Sequence, residues 1–98
     1  MSLPLSVNPE VDDEVIAAYD WYELQRPGLG GEFLNEVESV LGEIVANPAR
    51  FGFAERSVRE GLLNRFPYAI YYRVLSDRLR VLAVTHTHRD LSRWRSRR

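Results

Sequence analysis

The 98 residues are 45% hydrophobic and 28% charged, which fits one folded domain spanning 1–98 and excludes a disordered chain. The absence of cysteine removes disulfide scaffolds, thiolate metal sites and cysteine nucleophiles. No apolar run approaches the roughly 18–20 residues that span a bilayer, and no secretory leader is recognisable, so a cytoplasmic protein without membrane contact is expected. The net charge of −1 hides a division: residues 1–49 hold ten acids and one arginine, residues 50–98 four acids and twelve arginines, with no lysine anywhere. Such a split predicts an acidic face and a basic face, the latter suited to phosphates or to an acidic peptide. The lysine-free composition fits both a preference for the guanidinium fork and the codon usage of a GC-rich genome, so it does not choose between functions.

Leu3, Leu5 and Val7 alternate with polar or turn residues and predict a short first strand. Asn8-Pro9-Glu10 then reads as a helix start, with Asn8 as cap, Pro9 at the first helical position and acids at 10 and 12–14 near the positive end. Val11, Val15, Ala18, Tyr19 and Tyr22 form the apolar stripe of this helix, which Arg26-Pro27-Gly28 breaks. A second helix carries Leu29, Phe33, Val37, Val40, Leu41 and Ile44 on one face and Glu32, Glu36 and Glu43 on the other, up to Asn47-Pro48. The short break makes the pair an antiparallel hairpin. Trp21 cannot share the stripe equally with Tyr22, so part of this aromatic cluster is a candidate contact surface.

Residues 49–55 read as irregular. Period-2 patterning then predicts three antiparallel strands over 57–63, 66–75 and 78–86, joined at Asn64-Arg65 and Ser76-Asp77. The tail from Asp90 to Arg98 is expected to form a terminal helical turn anchored by Trp94. The fold class is α+β, a helical hairpin packed on a small antiparallel sheet.

A tight turn at Ser76-Asp77 sets Val74/Leu79, Tyr72/Val81, Ile70/Ala83 and Tyr68/Thr85 on the face under the helices. Arg73/Arg80, Tyr71/Leu82, Ala69/Val84 and Pro67/His86 fall on the other. Two facing arginines do not belong in a core, so this second face should be open to water or to a partner. It would gather Arg73, Arg80, Tyr71 and His86, with His88 and Arg89 beyond the strand end. These residue types can hold phosphate and stack a base. A two-residue turn at Asn64-Arg65 adds Glu60, which with His86 would make a base and acid pair, whereas a one-residue slip brings Arg59 instead. The plainer reading of His86 and His88 is a hydrogen-bonded strand end. Neither histidine has a further ligand at metal-binding spacing, and glycine-rich phosphate loops are absent, so no metal and no cofactor is expected.

The ordered segments Trp21-Tyr22, Arg26-Pro27-Gly28-Leu29-Gly30, Phe33, Pro48, Val58-Arg59, Arg65-Phe66-Pro67-Tyr68, Tyr71-Tyr72-Arg73, Val84-Thr85-His86, His88-Arg89-Asp90 and Trp94 resemble the RelE/ParE toxin superfamily of bacterial type II toxin–antitoxin systems. The likeness extends over roughly residues 8–95 and is greatest to the ParE-like branch called plasmid stabilisation proteins. It implies the same helical hairpin on a small antiparallel sheet. RelE-like members are ribosome-dependent mRNA endoribonucleases, but the positions matching their basic catalytic set are Glu60, Leu62 and Ala69. Other nuclease relatives use a glutamate, an arginine and a histidine, for which Glu60, Arg73 or Arg59, and His86 are the candidates. ParE-like members lack these and resemble non-enzymatic inhibitors of DNA gyrase. The resemblance thus implies a gyrase-directed toxin, alternatively a ribonuclease acting on ribosome-bound mRNA, or a non-toxic member that only binds an antitoxin. In each case the partner is an antitoxin whose acidic, partly disordered C-terminal segment folds onto the toxin. The implied target-binding surface is Arg59, Arg65, Tyr71, Arg73, Arg80, His86, His88 and Arg89, and the implied antitoxin contacts are Trp21, Tyr22, Arg73, Arg80 and Trp94.

Overall fold

The computed structural model describes residues 3–88 and 93–97. The elements follow as β1 (Leu5–Val7), α1 (Glu10–Gln25), α2 (Leu29–Ala46), β2 (Phe53–Glu55), β3 (Val58–Leu62), β4 (Tyr68–Val74) and β5 (Leu79–His86), with 3-10 turns at Pro48–Arg50 and Arg93–Ser96. They build one five-stranded sheet in the order β1-β5-β4-β3-β2. The helical hairpin covers one face of it, as expected. The sheet is mixed, because β1 joins β5 in parallel while the remaining pairs are antiparallel.

Asn8 couples strand to helix. Its amide donates to the Val81 carbonyl (2.9 Å), its Oδ1 accepts the Glu10 amide (3.0 Å) and its own carbonyl accepts the Val11 amide (3.0 Å). Between the helices Gly28 adopts φ +92°, a left-handed conformation open to glycine. The Glu23 carboxylate accepts the amides of Gly28 (3.0 Å), Gly30 (2.9 Å) and Gly31 (3.4 Å), so a side chain of α1 caps the start of α2. A Cβ on Gly30 would lie 2.7 Å from the Tyr19 carbonyl oxygen, so the helices meet here only without a side chain. The Arg-Pro-Gly-Leu-Gly segment is therefore accounted for by the hairpin itself.

The core between helices and sheet contains Val11, Ala18 and Tyr22 of α1, Phe33, Val37, Val40 and Ile44 of α2, and Ile70, Tyr72, Leu79, Val81 and Val84 of the sheet. A second cluster lies on the far face: Val58, Ala69, Tyr71, Leu82 and Ala83, covered by Trp94. The expected turn at Ser76-Asp77 is present, and Val74↔Leu79, Arg73↔Arg80 and Tyr72↔Val81 pair as expected. Beyond them the register shifts by one, to Tyr71↔Ala83, Ile70↔Val84, Ala69↔Thr85 and Tyr68↔His86. Leu82 is the extra residue of a β-bulge, which places Leu82 and Ala83 together on the far face and returns Val84 to the core. The expected pairs Ile70/Ala83, Tyr68/Thr85, Tyr71/Leu82, Ala69/Val84 and Pro67/His86 are thereby corrected.

Between β3 and β4 the pairing is Leu62↔Ala69 and Glu60↔Tyr71. The loop is longer than two residues because Leu63 and Phe66 fold into the core. The two-residue offset leaves Glu60 on the far face, where parity had placed it. Residues 53–55 form a short edge strand where irregular chain was expected. Arg59, paired with Phe53, lies 3.9 Å from that ring's centroid and donates from Nη1 to the Phe51 carbonyl.

The free edge of β5 is closed by side chains. Past Val81, where β1 ends, Val84 N–H donates to Glu14 Oε1 (3.1 Å) and the Leu82 carbonyl accepts Arg97 Nη1 (3.0 Å). Arg97 and Glu14 pair at 2.7 Å with side chains only 7% and 6% exposed, and Arg97 Nη2 also reaches Glu10 at 2.8 Å. This ion pair fastens the C-terminal turn to α1 and satisfies a sheet edge.

Removing one partner of the buried pair should leave an uncompensated charge, so Arg97→Met is expected to cost about 3–5 kcal/mol. Glu10→Gln, at the exposed end, should cost under about 1 kcal/mol in the same urea titration. Glu23→Ala, which uncaps α2, is expected to lose about 1–2 kcal/mol by the same measurement.

Candidate functional site

The sheet distributes the predicted site residues over three places. Arg73 and Arg80 are cross-strand neighbours and share the far face. Arg80 donates from Nη1 to Ser6 Oγ of β1 (2.6 Å), and Arg73 keeps its buried Nε without an acceptor. Tyr71 lies on the same face but does not present a surface. It is 3% exposed, with its ring stacked on that of Trp94 at 5.1 Å and 22°. Trp94, expected as a partner contact, is 4% exposed and serves as the lid of the far-face cluster.

His86 is displaced to the other side. Because of the bulge it faces Tyr68, whose ring is 5.4 Å away and which packs on the helix-side core. Its Nδ1 accepts the His88 amide at 3.0 Å, so the neutral ring carries its proton on Nε2. A chain of rings runs from Trp21 through Tyr22 (5.2 Å), Tyr68 (6.0 Å) and His86 to His88 (5.8 Å). Tyr22 belongs to the core, whereas Trp21 is 53% exposed. His88, Arg65 and Tyr68 also line a shallow depression of about 360 Å³ at this end.

Arg65 is committed to α2. Its guanidinium bonds Glu32 and its amide donates to Glu36 Oε1 (2.9 Å). Hydrogen bonds from Arg65 and then Arg26 hold the Glu32 carboxyl below its usual range, and the same bond raises Arg65. Arg59 sits at the β2 edge and Arg89 lies outside the described residues. Glu60 and Arg73 are thus on one side of the sheet and His86 on the other, so the glutamate–arginine–histidine set does not converge.

The far face offers instead a cleft of about 560 Å³ beside the C-terminal turn, lined by Arg56, Ser57, Arg73, Trp94, Arg95 and Ser96 among others. Residue-by-residue reading missed Arg56, which stands at the β2–β3 turn with φ +32°, a conformation uncommon for arginine. Arg97 and Glu14 were missed as well, since nothing in sequence spacing joins residues so far apart. Among the described residues no group of His, Asp and Glu could hold a metal ion, and no helix is long and apolar enough to cross a membrane.

Burial, followed by the negative charge of Glu60, raises the Tyr71 phenol above its usual value. Burial likewise raises Tyr72, against the opposing charge of Arg59. A phenol whose folded pKa is raised contributes stability that is intact below the unfolded value and is lost as pH climbs through the folded one. Stability should therefore fall once pH passes about 10, and denaturant midpoints measured against pH should fall less steeply for Tyr71→Phe.

Neither a protein-family model nor a curated protein matches the sequence. Among solved structures, a chain described as the chromosomal ParDE TA system from P. aeruginosa superimposes with a TM-score of 0.77. The match covers 89% of this chain and 98% of that one, at 15% identity. The chain therefore has the RelE/ParE fold.

Proposed function

We propose that this chain is the toxin of a bacterial type II toxin–antitoxin pair. It acts in the cytoplasm as a ParE-like, non-enzymatic inhibitor of DNA gyrase. The fold shared with a ParDE system chain supports the toxin–antitoxin setting. The observation that carries the choice against RNA cleavage is the position of His86. It faces Tyr68 on the helix side, while Glu60 pairs with Tyr71 and Arg73 with Arg80 on the far side. General acid–base cleavage needs its two groups within reach of one phosphate, and a sheet stands between them. Leu62 and Ala69, paired with one another, bring no cation to the positions where a RelE-like enzyme has its basic set.

Inhibition by binding needs a presented surface. Here that surface is the arginine-bearing far face, and the same face suits the acidic segment of an antitoxin, which would keep the toxin inactive by occupying it. A short neighbouring reading frame encoding a DNA-binding protein would be its source.

Induction without antitoxin should produce DNA breaks and filamentation, and the purified protein should inhibit supercoiling by gyrase while leaving ribosome-bound mRNA intact. His86→Ala should retain this effect in full. Immediate translational arrest with codon-specific mRNA cuts, abolished by His86→Ala or Glu60→Ala, would instead establish the ribonuclease.

A further inference from the structure

Most guanidinium groups of the described residues already have a carboxylate. Arg26 and Arg65 share Glu32, Arg50 approaches Glu43, Arg78 pairs with Asp77, Arg95 with Glu55 at 3.1 Å, and Arg97 with Glu10 and Glu14. Arg56 and Arg73 have no carboxylate among the described residues, and both line the far-face cleft. Two further features single this cleft out. Arg73 Nε and the Trp94 indole N–H are buried without an acceptor, although buried donors nearly always have one. Arg56 holds φ +32° at the rim, where glycine would sit without strain, so the arginine side chain is kept at a conformational cost.

We propose that this cleft is a carboxylate-binding site. A glutamate or aspartate side chain of a partner peptide would lie between Arg56 and Arg73 and accept from the Trp94 indole N–H. The donors are cationic forks plus one neutral N–H, a set that fits a planar two-oxygen acceptor. The floor is apolar, from Val58, Leu82 and the Trp94 ring, which suits the neighbouring side chain of a peptide. Two uncommitted cations make a point site; a nucleic-acid backbone needs a row of them. The indole N–H is covered and without an acceptor, so its signal reports directly on any carboxylate that comes to bond it. The proposal rests on the toxin–antitoxin reading only for the identity of the peptide's owner.

The test titrates the uniformly ¹⁵N-labelled full chain with N-acetyl-tetraglutamate amide at low ionic strength, following both indole N–H signals. A saturable shift of Trp94 with Trp21 unmoved is expected. Arg73→Gln and Arg56→Gly should each weaken the binding about tenfold or more, and Arg56→Gly should melt no lower than the parent because its positive φ is relieved. No saturable shift at Trp94, an equal shift at Trp21, or parental affinity in Arg56→Gly would overturn the site. A single-stranded oligonucleotide of equal charge that shifts Trp94 at lower concentration would overturn the carboxylate assignment. Co-purification with the product of the neighbouring reading frame tests the toxin–antitoxin reading separately, since the peptide titration involves no antitoxin.

Discussion

Between Val81 and Ala83 the last strand carries one residue more than its neighbour can match, and the two sides of the molecule are organised around that surplus. Strict alternation would have sent Val84 to the far face and Ala83 under the helices. The bulge reverses this, so the larger side chain fills the space beneath the helices, and Leu82 and Ala83 form with Tyr71 an apolar patch behind the sheet. Such a patch must be covered, and Trp94 covers it. The C-terminal turn is therefore part of the core. The same shift carries His86 away from the arginines and brings it against Tyr68.

The covering turn is fastened by charge. Arg97 comes from the basic half of the chain and Glu10 and Glu14 from the acidic half. Their contact also completes the hydrogen bonding of β5 where β1 runs out. Arg65 with Glu32 and Arg50 with Glu43 join the halves in the same way. The strong division of charge along the sequence thus becomes attraction between the helical hairpin and the sheet. Among the described residues Arg56 and Arg73 stand outside these pairs, and both line the far-face cleft.

Periodicity alone located both helices, the three long strands, the Ser76-Asp77 turn and the facing of Arg73 on Arg80. Each rests on a repeating contrast between apolar and polar positions. The bulge could not be seen because Val81-Leu82-Ala83-Val84 is apolar throughout and has no polar residue to mark the phase. β2 is three residues long and its Phe53 is exposed, so it gave no alternation to detect. The parallel pairing of β1 depends on where α1 docks, which no local pattern records. The burial of Tyr71 and of Trp94 was illegible for the same reason: each is covered by contact with the other, across more than twenty residues of chain.

The turn between the two helices also holds the acidic half's single cation, Arg26, in contact with Glu32 at 3.1 Å. The residue after it is Pro27, and a peptide bond before proline resists arginine-directed proteases. With no lysine in the chain, such an enzyme meets no cleavable bond before Arg50. Digestion would then dismantle the sheet side first and release the helical pair as a single uncut fragment.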